Sequence, residues 1–523
     1  MTRVKRLFAW GAFVLLAMLL SGWLLADHLT PPATGKTSHA LPVQPAQTAL
    51  DRELAPLLAA HPGKTGALLV PDGLDAFAAR AISARQAGRS LDLQYYIWHD
   101  DLTGRLLGRE AWLAAERGVR VRMLLDDMNA EGHDPKLLAL DAHPNIEIRL
   151  YNPFRNRTGL WRVLELVQRL FSVNHRMHNK AWIADGRVGV LGGRNIGIEY
   201  FNASDETNFR DLDMVLFGPA VGQASNVFDA YWNSPAVVPI AALNRKRVRE
   251  LQDLLATVKH EATGAAAQRY LQRVDASPSV RGYMAKQLQP HWSAGIRVLA
   301  DPPLKWKQDD RRGWLVQKLE HQLRGTRDKA LLISPYFVPG KDATAGLVDL
   351  ARRGAQVGII TNSLAANDVI AVHSGYRKYR GALIDGGVEV HEMRARDGGA
   401  QGRTGTGSAF GSSGASLHTK AFVVDDARGF IGSFNLDPRS ADLNTEMGVM
   451  FDDPGIAIDL RNEYLRLADP VLSYHVLRGK GGDLRWLDAA ASPPVLLDDE
   501  PDTSAWRRGL VHVFGWLPIE SQL

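Results

Sequence analysis

Two segments of this chain, starting at His178 and His418, fit one template: His-x-Lys, four residues, Asp, six residues, Gly-(Gly or Ser)-x-Asn. The first copy is His178, Lys180, Asp185, Gly192, Gly193 and Asn195; the second is His418, Lys420, Asp425, Gly432, Ser433 and Asn435. With near-average composition, five fixed identities at fixed spacing arise by chance in about one of 10⁴ chains of this length, and a second copy is rarer still. The two histidines stand 240 residues apart, so the repeat is long and the fold must build one supersecondary unit twice.

The surrounding sequence repeats in the same order. "SLDLQYYIW" (90–98) reads as a strand, a helix follows over 103–117, and "VRVRMLLD" (119–126) reads as the next strand. In the later half "KALLISPYFV" (329–338), a helix over 343–353 and "AQVGIITN" (355–362) do the same. Alternating strands and helices predict an α/β fold. At 523 residues the chain is too long for one ordinary core, which agrees with duplication.

The N-terminus carries a separate signal. Arg3, Lys5 and Arg6 precede an uncharged run from Leu7 to Ala26, "LFAWGAFVLLAMLLSGWLLA". That is long enough to span a bilayer as one helix, and the residue wanted small before a cut at Ala26 is Leu24, which favours an uncleaved anchor over a signal peptide. The basic flank keeps the start of the chain in the cytoplasm and places the rest on the far side. The expected organisation is an anchor (or signal peptide) over 1–28 and an extended tether over 29–49. A first domain over 50–235, an Arg/Lys-rich helical connector over 236–290, a second domain over 291–480 and a tail over 481–523 follow.

Three further segments stand out. "DGGAQGRTGTGSAFGSSGAS" (397–416) is too rich in Gly and Ser to pack and reads as a loop just before His418. "LWRVLELVQRLF" (160–171) has a helical apolar stripe that fits either the core or a membrane surface. "AWRRGLVHVFGWLP" (505–518) carries Trp506, Trp516, Arg507 and Arg508, residues suited to a lipid interface with anionic headgroups. The net charge of +5 permits an anionic partner without choosing between lipid and nucleic acid. With no cysteine, disulfides, thiolate metal sites and a cysteine nucleophile are excluded.

The template itself describes chemistry. In a strand, side chains at i and i+2 share a face, so each histidine points with its lysine. Asp185 and Asp425 complete the motif and stand among the candidate catalytic residues, although their hairpin position also fits turn stabilisation. The Gly192-Gly193 pair lets backbone approach a ligand closely. Two copies face to face would surround an anion with two lysines, two asparagines and two histidines, which suits a phosphodiester and the added charge of its five-coordinate transition state. One neutral imidazole can attack phosphorus to give a phosphohistidine, while the other, protonated, donates to the departing alkoxide and later deprotonates the incoming alcohol. A carboxylate on each ring would set its tautomer, and Asp211 and Glu446 follow the two motifs in comparable places. Neither a metal nor another cofactor is needed. A single His-x-Lys would more often be a solvated strand edge, and His175 reads as a surface or supporting residue.

The duplicated motif resembles that of the phospholipase D superfamily. The phrases "DLQYYIW", "RMHNKAWIADGRVGVLGGRNIGIEYF", "FRDLDMVLFGPAV", "SPYFVPG", "TNSLAANDVIAVHSGYRKYR" and "GSFNLDPRSADLNTEMG" are most similar to the C-type bacterial cardiolipin synthases. The resemblance implies two tandem phospholipase D-like domains, each a mixed sheet flanked by helices, sharing an active site at a pseudo-twofold interface. It implies transfer of a phosphatidyl group onto phosphatidylglycerol, with phosphatidylethanolamine associated with C-type members as donor. His178 and His418 would form the catalytic pair, with His178 the nucleophile. Lys180, Asn195, Lys420, Ser433 and Asn435 would bind phosphate, and Asp211 and Glu446 would orient the histidines. The expected setting is the bacterial inner membrane with the catalytic part in the periplasm. Phospholipids and the membrane are the expected partners, with no nucleic acid and no obligate protein partner. The residues alone leave two other readings open: a phospholipase D or phosphodiesterase/nuclease that uses water as acceptor, and a non-catalytic lipid-binding protein.

Overall fold

The computed structural model describes residues 35–243, 263–395 and 417–523, apart from 131, 518 and most of 158–173, together with scattered positions between 10 and 21. The expected anchor, the Gly/Ser loop and most of the 160–171 helix lie outside the described residues. Among the described residues, no helix is long and apolar enough to cross a membrane.

The first half forms a nine-stranded sheet from β1 (Thr65–Val70), β2 (Ser90–Tyr95), β3 (Arg120–Asp126), β4 (Ile146–Tyr151), β5 (Ala181–Ala184), β6 (Val188–Gly192), β7 (Asp213–Phe217), β8 (Val237–Pro239) and β9 (His291–Ser293). The second half forms a ten-stranded sheet from β10 (Arg297–Ala300), β11 (Lys329–Ile333), β12 (Gln356–Asn362), β13 (Glu389–Met393), β14 (Ala421–Val424), β15 (Arg428–Gly432), β16 (Met447–Asp452), β17 (Ser473–Arg478), β18 (Leu484–Asp488) and β19 (Val495–Leu497). Six strands run in the same spatial order in both: β4-β3-β2-β5-β6-β7 and β13-β12-β11-β14-β15-β16. In each, the first three are parallel and the others antiparallel. Each half is therefore a mixed sheet flanked by helices.

The central strands β2 and β5 are buried along their whole length, as expected of strands covered on both faces. Helices Gly73–Gln86 and Leu102–Glu116 begin where Asp72 and Asp101 accept backbone N–H groups of the first turn. One apolar cluster takes Ile183, Leu191, Met214 and Phe228 from the first half and Leu331, Ile431, Val449 and Leu460 from the second. The halves thus share a core, and that core fixes how their motifs meet.

The chain leaves the expected segment boundaries in three places. β8 lies within the connector expected over 236–290, and β9, expected in the second domain, pairs with β1 of the first sheet. β18 and β19 lie in the expected tail. Residues 36–40 of the expected tether are held against the first half: Arg149 donates to the Lys36 carbonyl, Arg122 to the Ser38 carbonyl, and the Ala40 N–H to Asp229. Buried guanidinium groups need acceptors for all their donors, and this segment supplies carbonyls that the sheet cannot.

Candidate active site

The two histidines are brought to the interface by a pair of exchanged contacts. The His178 N–H donates to the Thr445 carbonyl and the Thr445 N–H to the Arg176 carbonyl. In the counterpart contact, the N–H groups of His418 and Thr419 both donate to the Arg210 carbonyl. The residue after Thr445 is Glu446, and the residue after Arg210 is Asp211. Each motif histidine is therefore laid beside the carboxylate that follows the other motif.

The side chains complete this exchange. His178 Nδ1 lies 2.9 Å from Glu446 Oε2 and 3.0 Å from the Ser433 carbonyl. His418 Nδ1 lies 2.5 Å from Asp211 Oδ2. A carboxylate and a carbonyl only accept, so Nδ1 of His178 carries the proton and Nε2 keeps a lone pair; Asp211 sets the same tautomer in His418. Sequence position alone would pair each carboxylate with its own motif, and the structure pairs it with the other.

The glycines of the motif serve this arrangement. A Cβ on Gly193 would stand 2.2 Å from Asp211 Oδ1, so the missing side chain makes room for a carboxylate rather than for a ligand. The equivalent Ser433 turns its hydroxyl to Glu446 Oε2, and Ser440 donates to Oε1. Ser433 is thus placed to orient Glu446, not left free for an anion. Burial raises the Glu446 carboxyl, but the His178 ring, the Lys180 charge and the Ser433 hydroxyl together hold it below its usual range.

Lys180 and Lys420 are both buried, and each Nζ donates to the carbonyl of its own motif histidine at 2.6 Å. Among the described residues, neither has a carboxylate within ion-pair distance. Burial pushes the Lys420 ammonium down to about 8, and Lys180 well below its ordinary value, despite the more distant charges of Glu446 and Asp211. Burial also lowers both imidazoles, His178 to about 4, with the lysine charges adding to the effect and Glu446 opposing it at His178. Two buried lysines thus stand near two imidazoles whose protonation burial disfavours.

The remaining motif residues divide. Asn195 is committed to the fold, its Oδ1 accepting from the Ile97 N–H and its Nδ2 donating to the Tyr200 hydroxyl. Asn435 makes no hydrogen bond to another described residue, and its buried Oδ1 has no partner. Asp185 and Asp425 are away from the histidines. Asp185 accepts the N–H groups of Gly88, Arg89 and Ser90, and Asp425 those of Arg327, Asp328 and Lys329. Both have positive φ in their hairpins, and their carboxylates tie each turn to the start of the neighbouring antiparallel strand, a structural placement. His175 stacks on Trp306 at 4.9 Å, outside the histidine pair.

Aromatic walls were not foreseen. Tyr96 stands edge-on to His178 and Tyr200 edge-on to His418, both at 5.1 Å, and Phe209 stacks on His418 at 5.6 Å. Tyr96 lies just past the end of β2, where the sequence pattern shows only a strand.

The sequence matches the family model for the cardiolipin synthase PLD-like domain twice, over residues 82–232 and 319–468. Cardiolipin synthase C of Escherichia coli (strain K12) is 39% identical over 466 residues, covering 89% of this chain and 98% of the relative. A Helicobacter pylori protein is 33% identical over 489 residues, covering 92% and 93%. Among solved structures, phosphatidylserine synthase of Haemophilus influenzae Rd KW20 superposes with a TM-score of 0.57 at 13% identity, covering 90% of this chain and 99% of that one, a likeness of fold. The chain belongs to the cardiolipin synthase family of phospholipase D-like proteins, and is a phospholipase D-type phosphatidyltransferase.

Proposed function

We propose that the chain makes cardiolipin, moving a phosphatidyl group from a donor phospholipid, phosphatidylethanolamine or a second phosphatidylglycerol, to the glycerol headgroup of phosphatidylglycerol. One observation carries this reading: two buried lysines without carboxylate partners stand among two histidines, each oriented by a carboxylate from the opposite half. Such a pocket asks for a phosphodiester anion.

The geometry supports the following steps. The donor phosphate binds to Lys180, Lys420 and Asn435, and its charge raises the affinity of both rings for protons. His418, beside Asp211, takes one. His178 Nε2 attacks phosphorus; a P–N bond forms as the P–O bond to the donor headgroup breaks, and His418 gives its proton to the departing alkoxide. The acceptor hydroxyl then enters, His418 removes its proton, and the oxygen displaces His178 from phosphorus. Tyr96, Tyr200 and Phe209 limit water beside the rings, which favours alcohol over hydrolysis. To test the reading, purified full-length protein is incubated with labelled phosphatidylglycerol, with and without phosphatidylethanolamine, and the lipid products are resolved. Cardiolipin is the expected product; phosphatidic acid alone would mean hydrolysis and overturn it.

The depressed lysines give a pH signature. A lysine with a lowered pKa loses its charge at lower pH than usual, so the affinity of the site for sulfate, which does not titrate near neutrality, falls as pH rises through about 8. From pH 7 to 9 the loss should be about tenfold for one proton, measurable by calorimetry. Lys420→Arg, which keeps its charge, should flatten this decline. A wild-type affinity that stays level beyond pH 9 would show that burial does not lower these groups.

The same reading makes residues 1–28 an inner-membrane anchor with the catalytic body in the periplasm, and gives the tail a second contact with lipid. Helix Ala505–Gly515 leaves Trp506 75% and Trp516 86% exposed, with Val513 and Leu517 between and beside them. Arg507 and Arg508 instead turn inward: Arg507 donates to the Asn367 carbonyl, and Arg508 to Thr503. Of the four residues expected at a lipid interface, the two tryptophans are exposed to meet one and the two arginines are held on backbone carbonyls. A chain beginning at Gly35, which keeps the segment bound by Arg122 and Arg149, should sediment with anionic liposomes, and Trp506→Ala with Trp516→Ala should reduce the bound fraction severalfold. Equal sedimentation of the two would assign this helix no role in lipid contact.

A further inference from the structure

The charges of four carboxylates reach Lys420: Asp211, Glu446, Asp368 and Asp437. Asp211 and Glu446 hold the histidines. Asp437 is buried and accepts the Ser440 N–H. Asp368 differs from the other three. It is half-buried, at the end of the segment that follows β12, and both its carboxylate oxygens lie 2.8 Å from the Tyr336 hydroxyl. Among the described residues, no cationic group comes within ion-pair distance of it. Arg507 influences it only from farther away, with its guanidinium on the Asn367 carbonyl.

Its position is on the His418 side. Asn362, at the end of β12, holds the backbone N–H and carbonyl of Leu417, the residue before His418. Phe337, next to Tyr336, bridges Leu436, next to Asn435; the charge of Asp368 also acts on Lys420 and Tyr200. The counterpart side is different: near His178, Asp126 faces Arg176 and Asp127 is paired with Arg157. The two sides therefore differ, with a carboxylate that has no cationic partner among the described residues on the side of the second motif. A half-buried carboxylate is costly unless paired or hydrogen-bonded to donors, and here burial raises its pKa with one phenol as the main side-chain donor. The N-terminus of helix Ile370–Asp385 lies next to it and favours its charge.

We propose that Asp368, held by Tyr336, selects the donor lipid by binding a primary ammonium on the departing headgroup. This rests on the phosphatidyltransfer reading above. In an ethanolamine headgroup the ammonium is two carbons beyond the ester oxygen that takes the His418 proton, so a carboxylate on the side of the second motif is placed to receive it as the P–O bond breaks. The released group leaves as neutral alcohol with its ammonium intact, and no other reactant is needed.

The test compares donors. Full-length wild type and Asp368→Asn are given phosphatidylethanolamine, its N-acetylated form, or phosphatidylglycerol as donor, and the released headgroup is quantified. In wild type, removing the ammonium charge by acetylation should lower kcat/KM by about tenfold to a hundredfold, the size of one charge-assisted hydrogen bond. In Asp368→Asn the ratio of phosphatidylethanolamine to phosphatidylglycerol use should fall by a similar factor, mainly through KM, and acetylation should matter little. Asp368→Glu should restore part of the ratio. A wild type indifferent to acetylation overturns the subsite even if the variant fails to fold, as does an unchanged donor ratio in a folded Asp368→Asn. A wild type that releases no headgroup from any donor overturns the phosphatidyltransfer reading itself.

Discussion

Asp211→Asn should disable His418, 207 positions away in the other half of the chain, and Glu446→Gln should disable His178 across 268 positions. Each amide keeps the shape of the carboxylate but loses the charge that steadies the imidazolium and the acceptor that fixes its tautomer. The expected loss is about 10³- to 10⁴-fold in kcat, the scale seen when a histidine in a catalytic triad loses its carboxylate. The partners are identified by non-additivity. Asp211→Asn added to His418→Ala should cost almost nothing further, as should Glu446→Gln added to His178→Ala. If instead Asp211→Asn is silent on a His178→Ala background and additive with His418→Ala, the carboxylates serve their own halves and the crossed arrangement is wrong.

Much of this site was legible in sequence because the motif is local. The spacing His178 to Asn195 is that of one strand, one hairpin and a return strand, and β5 and β6 follow it. Strand and helix order around 90–126 and 329–362 was readable for the same reason. The exchange between halves was not readable, because it is set by the shared core and by backbone contacts such as that between His178 and Thr445, far apart in sequence. The role of Gly193 was misread on the same ground: its neighbour Asp211 becomes a neighbour only through pairing of β6 with β7. Ser433 and Asn195, expected at the phosphate, are turned to Glu446 and Tyr200, a division that motif identity cannot express. Tyr336 and Asp368 lie within the phrases "SPYFVPG" and "TNSLAANDVIAVHSGYRKYR", but nothing in those phrases marks the two side chains as hydrogen-bonded partners.

His178→Ala should leave less than about one ten-thousandth of the wild-type transfer rate, since no other group can form the covalent intermediate. His418→Ala is different in kind. It removes the proton donor for the alkoxide but leaves the nucleophile and its Glu446 partner in place. A donor whose headgroup is replaced by p-nitrophenol needs no proton to depart, so the first step should recover in this variant while the second, which needs a base, stays slow.

The most direct test of the account is therefore covalent trapping with such a donor labelled at phosphorus. Full-length His418→Ala should release one equivalent of p-nitrophenol in a burst and retain label on the peptide bearing His178, and His178→Ala should retain none. Label on His418 in the His178→Ala protein, or a burst without any protein-bound label in His418→Ala, would contradict it.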